Sequence, residues 1–204
     1  MKKGILVLAL LVFISFGAFA QMSAGGGLLF DLSSNNGVKE GNIYGGFRIV
    51  SFGGFVFFDA HYVEADVYFA GGSVDIVAKA GGISGSVDAG SFTQLGFSLL
   101  GKYPIEMGEL TVFPLFGINY NIVLSYKLPN GEKFPESAAE WFSQFGFQAG
   151  AGLDYNLNDN LYLRASALLH LRLPMKFCKD DISSSETATL GIGPVIKVAI
   201  GYRL

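Results

Sequence analysis

The chain has 204 residues, of which 15% are charged and 50% are hydrophobic, and it contains 28 glycines. Disorder is excluded, because a disordered chain combines low hydrophobicity with high net charge. The formal net charge of −3 argues against a nucleic-acid partner. The single cysteine, Cys178, cannot form an internal disulfide, and no His and Cys spacing indicates a metal or another cofactor. The composition is typical of a membrane β-protein rather than of an enzyme.

Residues 1–20 are predicted to be a signal peptide that is removed on export. Two lysines precede an apolar stretch at residues 5–16, and residues 18–20 read Ala-Phe-Ala, the small-residue pattern of a cleavage site. An uncleaved membrane anchor is the alternative, but the glycine-rich stretch that follows favours cleavage. Gln21 stands where a lipoprotein would need cysteine. Without the two leader lysines, the mature domain 21–204 has 12 Lys and Arg against 17 acids, a net charge of −5.

Apolar and polar residues alternate with period two along the rest of the chain, as they do in half-buried strands. No stretch of 18 or more residues after the leader is continuously apolar, so no transmembrane helix is predicted. Each alternating segment has at least the roughly 9 to 11 residues that a tilted spanning strand needs. The predicted strands are residues 22–34, 43–52, 55–65, 91–104, 110–126, 142–157, 161–175 and 187–204.

The last segment ends the chain with an unbroken apolar row, opposite a row that contains Lys197, Gly201 and Arg203. The final members of the apolar row are Val198, Ile200, Tyr202 and Leu204. This ending resembles the assembly signal of bacterial outer-membrane β-barrels, an alternating apolar last strand that usually closes with an aromatic residue. Here a leucine takes the last position, and Tyr202 keeps a ring near the end.

With its leader and eight strands, the mature chain resembles the small OmpA/OmpX/OmpW-type barrels. The resemblance implies an all-β fold, an eight-stranded antiparallel transmembrane β-barrel with an up-and-down meander. It also implies a place in the bacterial outer membrane, with outer-membrane lipid and the barrel-assembly machinery as partners. We expect a monomer that binds neither cofactor nor metal.

Short and long connections alternate between the predicted strands, as this resemblance implies. The predicted short turns are Gly53 with Gly54, residues 105–109 and residues 158–160. The predicted long outer loops are residues 35–42, 66–90, 127–141 and 176–186. Together with Glu64, these loops hold 6 lysines and 11 acids and so carry the whole net charge of −5. The loop 66–90 is the best candidate for binding an extracellular ligand, because loops on a rigid scaffold often carry recognition. An exposed loop with no fixed ligand is equally compatible. The valines and isoleucines within residues 74–87 of this loop are also compatible with an extension of strands three and four above the membrane.

The charge content predicts which face meets lipid. A charge on the lipid face costs about 2 to 4 kcal/mol near the midplane. The row of glycine, serine, asparagine, glutamine and a few ions is therefore predicted to be enclosed. An eight-stranded barrel is just wide enough for its inward side chains to fill it. Water and solutes are not expected to stream through.

Ions inside such a tube must be paired, because removing an unpaired ion from water costs on the order of several kcal/mol. A hairpin at residues 53–54 would place Arg48 opposite Asp59. A turn at residues 158–160 would place Asp154 opposite Arg164. We interpret both as structural ion pairs rather than as a gate. Further members of the expected network are Lys102, His170, Arg172 and Lys197.

Catalysis has little support in the sequence. His61 and His170 are the two acid/base candidates at neutral pH. Lipid A deacylases, which some eight-stranded outer-membrane barrels are, place His and Ser two residues apart on one strand. Here Val63 and Arg172 occupy the positions two residues after the histidines. We therefore expect no enzymatic activity.

The sequence favours a structural or surface-binding outer-membrane protein with a polar, plugged lumen and acidic outer loops. Three alternatives stay open at this point. They are a small pore or apolar-solute conduit, a lipid-modifying enzyme, and a soluble periplasmic barrel.

Overall fold

The computed structural model describes residues 22–40, 43–80, 83–133, 143–173 and 191–204. These ranges contain nine strands: β1 (Met22–Glu40), β2 (Ile43–Ala60), β3 (Val63–Ala80), β4 (Ile83–Lys102), β5 (Ile105–Met107), β6 (Leu110–Lys127), β7 (Gln144–Asn156), β8 (Leu161–Arg172) and β9 (Gly191–Arg203). A helix of the length and apolar character needed to cross a membrane does not occur in them. The predicted signal peptide and the predicted loop 176–186 lie outside the described residues.

Eight long strands close into a barrel. The sheet order is β4-β3-β2-β1-β9-β8-β7-β6, every pairing is antiparallel, and β4 pairs with β6 to close the ring. The short β5 continues the line of β4, with Ile105 opposite Val112 of β6. Sequential long strands are neighbours all the way round, so the predicted eight-stranded meander is confirmed. We call the end that holds Met22 and Leu204 the terminal end, and the opposite end the upper end.

The predicted hairpin at Gly53 and Gly54 is wrong. β2 runs through both residues, which lie opposite Ala70 and Phe69 of β3. A Cβ on Gly53 would lie 2.1 Å from the carbonyl oxygen of Phe69. Glycine here permits close backbone packing rather than a turn. The segments 43–52 and 55–65 therefore form one strand, followed by a hairpin at His61, whose φ of 62° is the left-handed conformation that a tight turn needs.

An open loop over residues 66–90 is also wrong, because most of this segment belongs to β3 and β4, which are extended as in the alternative expectation. Asp66, Tyr68 and Ala70 are buried inside the barrel, whereas Val67 and Phe69 are exposed on its outside. Apolar residues on both faces conceal the period-two pattern on which strand prediction depends. In the same way, β1 extends through most of the predicted loop 35–42.

The outer face of the barrel is a belt of exposed apolar side chains. In β9, alternate residues from Ile192 to Tyr202 point outward, and the large ones among them are 43–55% exposed. The same pattern continues in β6 with Phe116 and Ile118 and in β7 with Phe145. This belt is the row that the sequence assigned to lipid.

Lumen-facing glycines make room for aromatic rings from neighbouring strands. A Cβ on Gly96 would lie 2.0 Å from the Tyr68 ring, and one on Gly201 would lie 2.2 Å from the Tyr162 ring. Both rings are nearly inaccessible, with Tyr162 only 1% exposed. The interior is therefore filled partly by rings that lie flat over bare backbone, which is how a narrow barrel accommodates large side chains.

The barrel wall has unequal height. β1 to β4 have 18–20 residues, whereas β7 to β9 have 12 or 13. In the closed ring every strand pairs on both sides, with Asn35 opposite Gly191 and Ser91 opposite Lys127 at its upper edge. With about 3.3 Å per residue and a tilt of about 40°, six additional residues reach roughly 15 Å higher. We call this taller part the extension; it consists of residues 36–40, 43–46, 74–80 and 83–90.

Candidate functional site in the barrel interior

The terminal half of the lumen is organised around Arg164 of β8. Its Nε and Nη2 donate to the two carboxylate oxygens of Asp154, both at 2.7 Å, the bidentate geometry that arginine favours. Nη2 also donates to Asp59 at 2.7 Å, and Nη1 donates to Glu64 at 2.5 Å. Lys102 donates to the same oxygen of Asp59. Two cations thus tie together β2, β3, β4, β7 and β8 across the lumen.

A single ion pair lies above this cluster. Lys197 of β9 donates to Asp66 of β3 at 2.5 Å, and both residues are almost completely buried. The Lys197 ammonium also lies 5.4 Å from the centre of the Phe55 ring, within the range of a cation–π contact. Because β9 and β3 are not adjacent in the sheet, this pair bridges the barrel interior.

The upper lumen holds Asp31, which accepts hydrogen bonds from Arg172 and from the Ser33 hydroxyl. His170 Nδ1 lies 3.9 Å from Asp31 and accepts from Arg172 Nε at 3.4 Å. Uncharged polar groups surround this cluster. Tyr68 donates to Asn121, and Asn119 donates to Ser98 at 3.1 Å. His170 Nε2, Asn121 Nδ2 and Gln148 Oε1 are buried without a hydrogen-bond partner among the described residues.

The structure brings together most of the residues predicted to lie in the lumen. Asp154 and Arg164 are direct cross-strand partners, as the turn at residues 158–160 predicted. That turn is an Asx turn in which Asn158 accepts from the backbone of Leu161 at 2.7 Å. The other predicted members, Lys102, His170, Arg172 and Lys197, all point into the lumen and contact a charged group.

The predicted pair of Arg48 and Asp59 is wrong. A hairpin at residues 53–54 would have put both on one face, but β2 is continuous, and residues an odd number apart on one strand point to opposite faces. Asp59 points inward and binds Lys102 and Arg164, whereas Arg48 is exposed on the outer row near the upper edge of the closed ring.

Sequence reasoning missed three lumen carboxylates. Glu64 and Asp66 were counted among the outer loops, yet both are 2% exposed and bind Arg164 and Lys197. Asp31 was placed in a strand but was given no partner. Glu64, Asp66 and Tyr68 alternate with apolar residues such as Val67 and Phe69. A strand predicted through residues 63–70 would therefore have placed Glu64 and Asp66 in the lumen. The acidity assigned to the outer end was too high by these two residues.

The interior chemistry is that of paired charges. In the described part of the chain, no group of three or more His, Cys, Asp or Glu could hold a metal ion. His170 is 1% exposed, so bulk substrate has no direct path to its imidazole. Ser166 is also buried and makes no hydrogen bond to His170 in the described structure.

Above the polar lumen, the inner face of the tall wall becomes apolar. Val74, Phe92, Val123 and Tyr126 form a buried cluster, and the Tyr126 hydroxyl donates to the carbonyl of Ala89 at 2.7 Å. Higher up, the side chains are exposed. Phe47, Ile76 and Val87 are direct cross-strand partners with exposed fractions of 43%, 45% and 69%.

The row predicted as an assembly signal lies on the outside of β9 and ends at Leu204, which follows this strand. Val198, Ile200, Tyr202 and Leu204 are all at least half exposed and alternate with buried Ala199 and Gly201. Recognition of this row by an assembly machinery stays a prediction.

The model of the outer membrane protein beta-barrel domain family matches residues 6–193. The comparison with curated proteins finds no match. Among solved structures, the outer membrane protein OprG from Pseudomonas aeruginosa is 14% identical, with 90% of this chain and 95% of OprG covered and a TM-score of 0.52. Neisserial surface protein A is 11% identical, with coverages of 90% and 96% and a TM-score of 0.48. The expected resemblance to small eight-stranded outer-membrane barrels is confirmed.

Proposed function

Because the chain belongs to the outer membrane protein beta-barrel domain family, whose place is the bacterial outer membrane, we propose that it is a non-enzymatic barrel with a closed lumen and a surface-binding upper end. Short turns face the periplasm in such barrels and longer connections face outward. The extension therefore stands outside the membrane, and the terminal end faces the periplasm. The buried ion pairs hold the platform that carries the extension.

The exposure of the lumen side chains carries this proposal. Leu100 and Phe113 are 0% exposed, Lys197 and Gln148 are 1% exposed, and Leu29 is 2% exposed. They belong to β1, β4, β6, β7 and β9 and thus come from both sides of the barrel. In a water-filled channel such lumen-facing groups would contact solvent. Their inaccessibility supports a barrel that does not conduct.

The extension supports the surface-binding role. Its inward side chains Ile76 and Val87 form one exposed apolar row with Phe47 of the adjoining ring edge, on a hydrogen-bonded sheet. A rigid platform of this kind binds a partner at lower entropic cost than a mobile loop does. Residues 75–90 of the predicted binding loop 66–90 therefore keep that role in the proposal, while its first part lines the lumen.

Single-channel recording in planar bilayers tests the closed lumen. The full chain is expected to give no stable conductance steps. The double variant Leu29→Ala with Tyr68→Ala shortens two lumen side chains and should introduce small steps. The matched control, Leu28→Ala with Phe69→Ala, shortens their outward neighbours, which are 51% and 55% exposed, and should stay silent. Steady conductance of the unmodified chain would contradict the proposal.

The absence of enzymatic activity has its own test. The refolded chain is incubated with lipid A and with phospholipids, and released fatty acid is measured by mass spectrometry. We expect no release. Deacylation that disappears in His170→Ala would show that the buried imidazole is reached by substrate, and it would replace the proposal with a lipid-modifying enzyme.

A second candidate function is binding of an apolar solute at the upper mouth. It is favoured by the cluster of Val74, Phe92, Val123 and Tyr126, which lines the inner wall where a polar lining would otherwise be expected. Photolabelling with a small benzophenone followed by peptide mapping tests it. Labelling of Phe92 and Val123 would support this function, whereas label confined to outward residues such as Phe116 would contradict it.

A further inference from the structure

The terminal end of the barrel contains a polar cavity with a volume of about 290 Å³. It extends from the exposed residues Glu106 and Asp159 to the buried residues Ser23, Asp59 and Arg164. A site of this size admits a small ligand or a single long side chain. The proposed surface-binding role concerns the upper end of the barrel and does not depend on this cavity.

The ion cluster at the inner end of the cavity carries excess negative charge, and Glu64 belongs to this cluster through Arg164 without lining the cavity itself. Asp59, Glu64 and Asp154 are three carboxylates, and they share the two cations Arg164 and Lys102. All five side chains are at most 8% exposed. The cluster therefore has a formal charge of −1 in a region where charge is poorly solvated.

The mouth of the cavity is acidic as well. Among the described residues, Glu106 and Asp159 line it together with one cation, Arg203. The Arg203 guanidinium donates to Asn156 and to the backbone carbonyl of Asp159, and it lies 5.1 Å from the centre of the Tyr162 ring. The described residues at the mouth thus carry a formal charge of −1. All the charged side chains that line the cavity, four acids and three cations, also sum to −1.

The hydrogen-bond inventory points to a ligand that donates. Arg164 uses Nε, Nη1 and Nη2 in hydrogen bonds to carboxylates, and Lys102 donates to Asp59 Oδ2. The other carboxylate oxygen of Asp59, Oδ1, is buried and has no hydrogen-bond partner among the described residues. A buried carboxylate oxygen without a donor is costly, so a donor group that reaches Asp59 from the cavity would be stabilised.

We propose that this cavity binds one primary ammonium group, either of a free diamine or of a lysine side chain on a periplasmic polypeptide. An ammonium group supplies the positive charge and three N–H donors, and it accepts no hydrogen bond. Its positive charge is complementary to that of Asp59 at the inner end of the cavity and to those of Glu106 and Asp159 at the mouth. An anion would meet the net negative charge of the side chains that line the cavity.

Isothermal titration calorimetry on the refolded full chain in bicelles, at constant ionic strength, tests this proposal. Butane-1,4-diamine should bind with a 1:1 stoichiometry. Tetramethylammonium has the charge of one ammonium group but no N–H donor, and it should not bind. The double variant Glu106→Gln with Asp159→Asn removes two charges at the exposed mouth without touching the buried cluster, and it should weaken binding about tenfold. Glu132→Gln, an exposed acid at the upper end, is the matched control and should change nothing.

A second titration distinguishes the two sources of the ammonium group. Nα-acetyl-lysine methylamide carries the lysine side chain with uncharged peptide ends. Binding of the diamine alone indicates a free amine, and binding of the lysine derivative indicates a polypeptide partner; either result supports the site. The proposal is overturned if neither compound binds, if acetate binds instead, or if Glu132→Gln weakens binding as much as the mouth variant does. Failure here would leave the closed lumen and the surface-binding role unaffected.

Discussion

The closed ring and the extension are built from the same strands but are stabilised in different ways. In the ring every strand has neighbours on both sides, and the lumen is filled by Arg164, Lys197 and rings such as Tyr162. In the extension only β1 to β4 pair with one another, and the inward side chains of Ile76 and Val87 are about half exposed or more. The ring is stabilised by the side chains that fill its lumen, whereas the extension is stabilised by the backbone hydrogen bonds between its strands.

This difference teaches where the sequence is free to change. A side chain inside the ring is shared by several strands, so its loss affects the whole barrel. Above the buried cluster that contains Val74, side chains of the extension such as Ile76 and Val87 are about half exposed or more and are available to a partner. Substitutions should therefore have effects on stability that decrease from the terminal lumen to the extension.

The largest effect is expected for Arg164→Ala. The substitution leaves Asp59, Glu64 and Asp154 buried with Lys102 as the remaining cation. Removing one partner of a buried ion network costs about 3–5 kcal/mol. The free energy of unfolding, measured by urea titration in lipid vesicles, should fall by that amount. Arg164→Lys keeps the positive charge but not the bidentate geometry, so its free energy of unfolding should lie between those of the unmodified chain and Arg164→Ala. A loss of less than about 1 kcal/mol would mean that the ring does not depend on this cluster.

A smaller effect is expected for Arg172→Ala, near the upper edge of the ring. Asp31 would keep the Ser33 hydroxyl at 2.7 Å and would still have His170 within 3.9 Å. The loss should be about 1–3 kcal/mol, the cost of leaving a buried group partly unsatisfied. The same urea titration measures it. Adding Asp31→Asn should restore part of the loss, because the two residues contact each other. Additive penalties would contradict the contact.

One strand offers a direct test of ring against extension. In β4, a Cβ on Gly96 would lie 2.0 Å from the Tyr68 ring, whereas a Cβ on Gly85 would have nothing within 4 Å. Gly96→Ala should therefore destabilise the barrel by about 1–3 kcal/mol through overpacking. Gly85→Ala should stay within about 0.5 kcal/mol. Heat-dependent gel mobility compares the two variants side by side. Equal midpoint temperatures of the mobility change in the two variants would contradict the difference in packing between the ring and the extension.

The sequence predicted the short-walled half of the barrel well because its turns carry their own signals. Asn158 and its neighbours form a turn that fixes the register of β7 and β8, and this register gives the Asp154–Arg164 pair. Alternation in β9 is also clear, since the outward face is apolar at every position from Ile192 to Tyr202, whereas glycine, lysine and alanine accompany Val195 on the inward face. Local turn chemistry and period-two patterning were sufficient here.

The tall half could not be predicted from the same signals. Gly53 lies in a strand rather than in a turn, at a position where a side chain would meet the neighbouring backbone. Turn and close packing both favour glycine, and a single sequence does not distinguish them. The partners of Lys197 and Arg172 lie across the lumen, more than 100 residues away. Such contacts depend on barrel closure, which no local pattern encodes.

The smallest effect, and the one that tests the corrected register most directly, is expected for Arg48→Ala. Arg48 is exposed on the outer row near the upper edge of the ring, and Asp59 points into the lumen. The substitution should change the free energy of unfolding by no more than about 0.5 kcal/mol. Combined with Asp59→Asn, it should simply add to the larger penalty of the lumen variant, because residues without a shared contact act independently. If Arg48→Ala instead reduced that penalty, the two residues would have to share a face, and β2 would have to turn at Gly53 rather than continue into the extension.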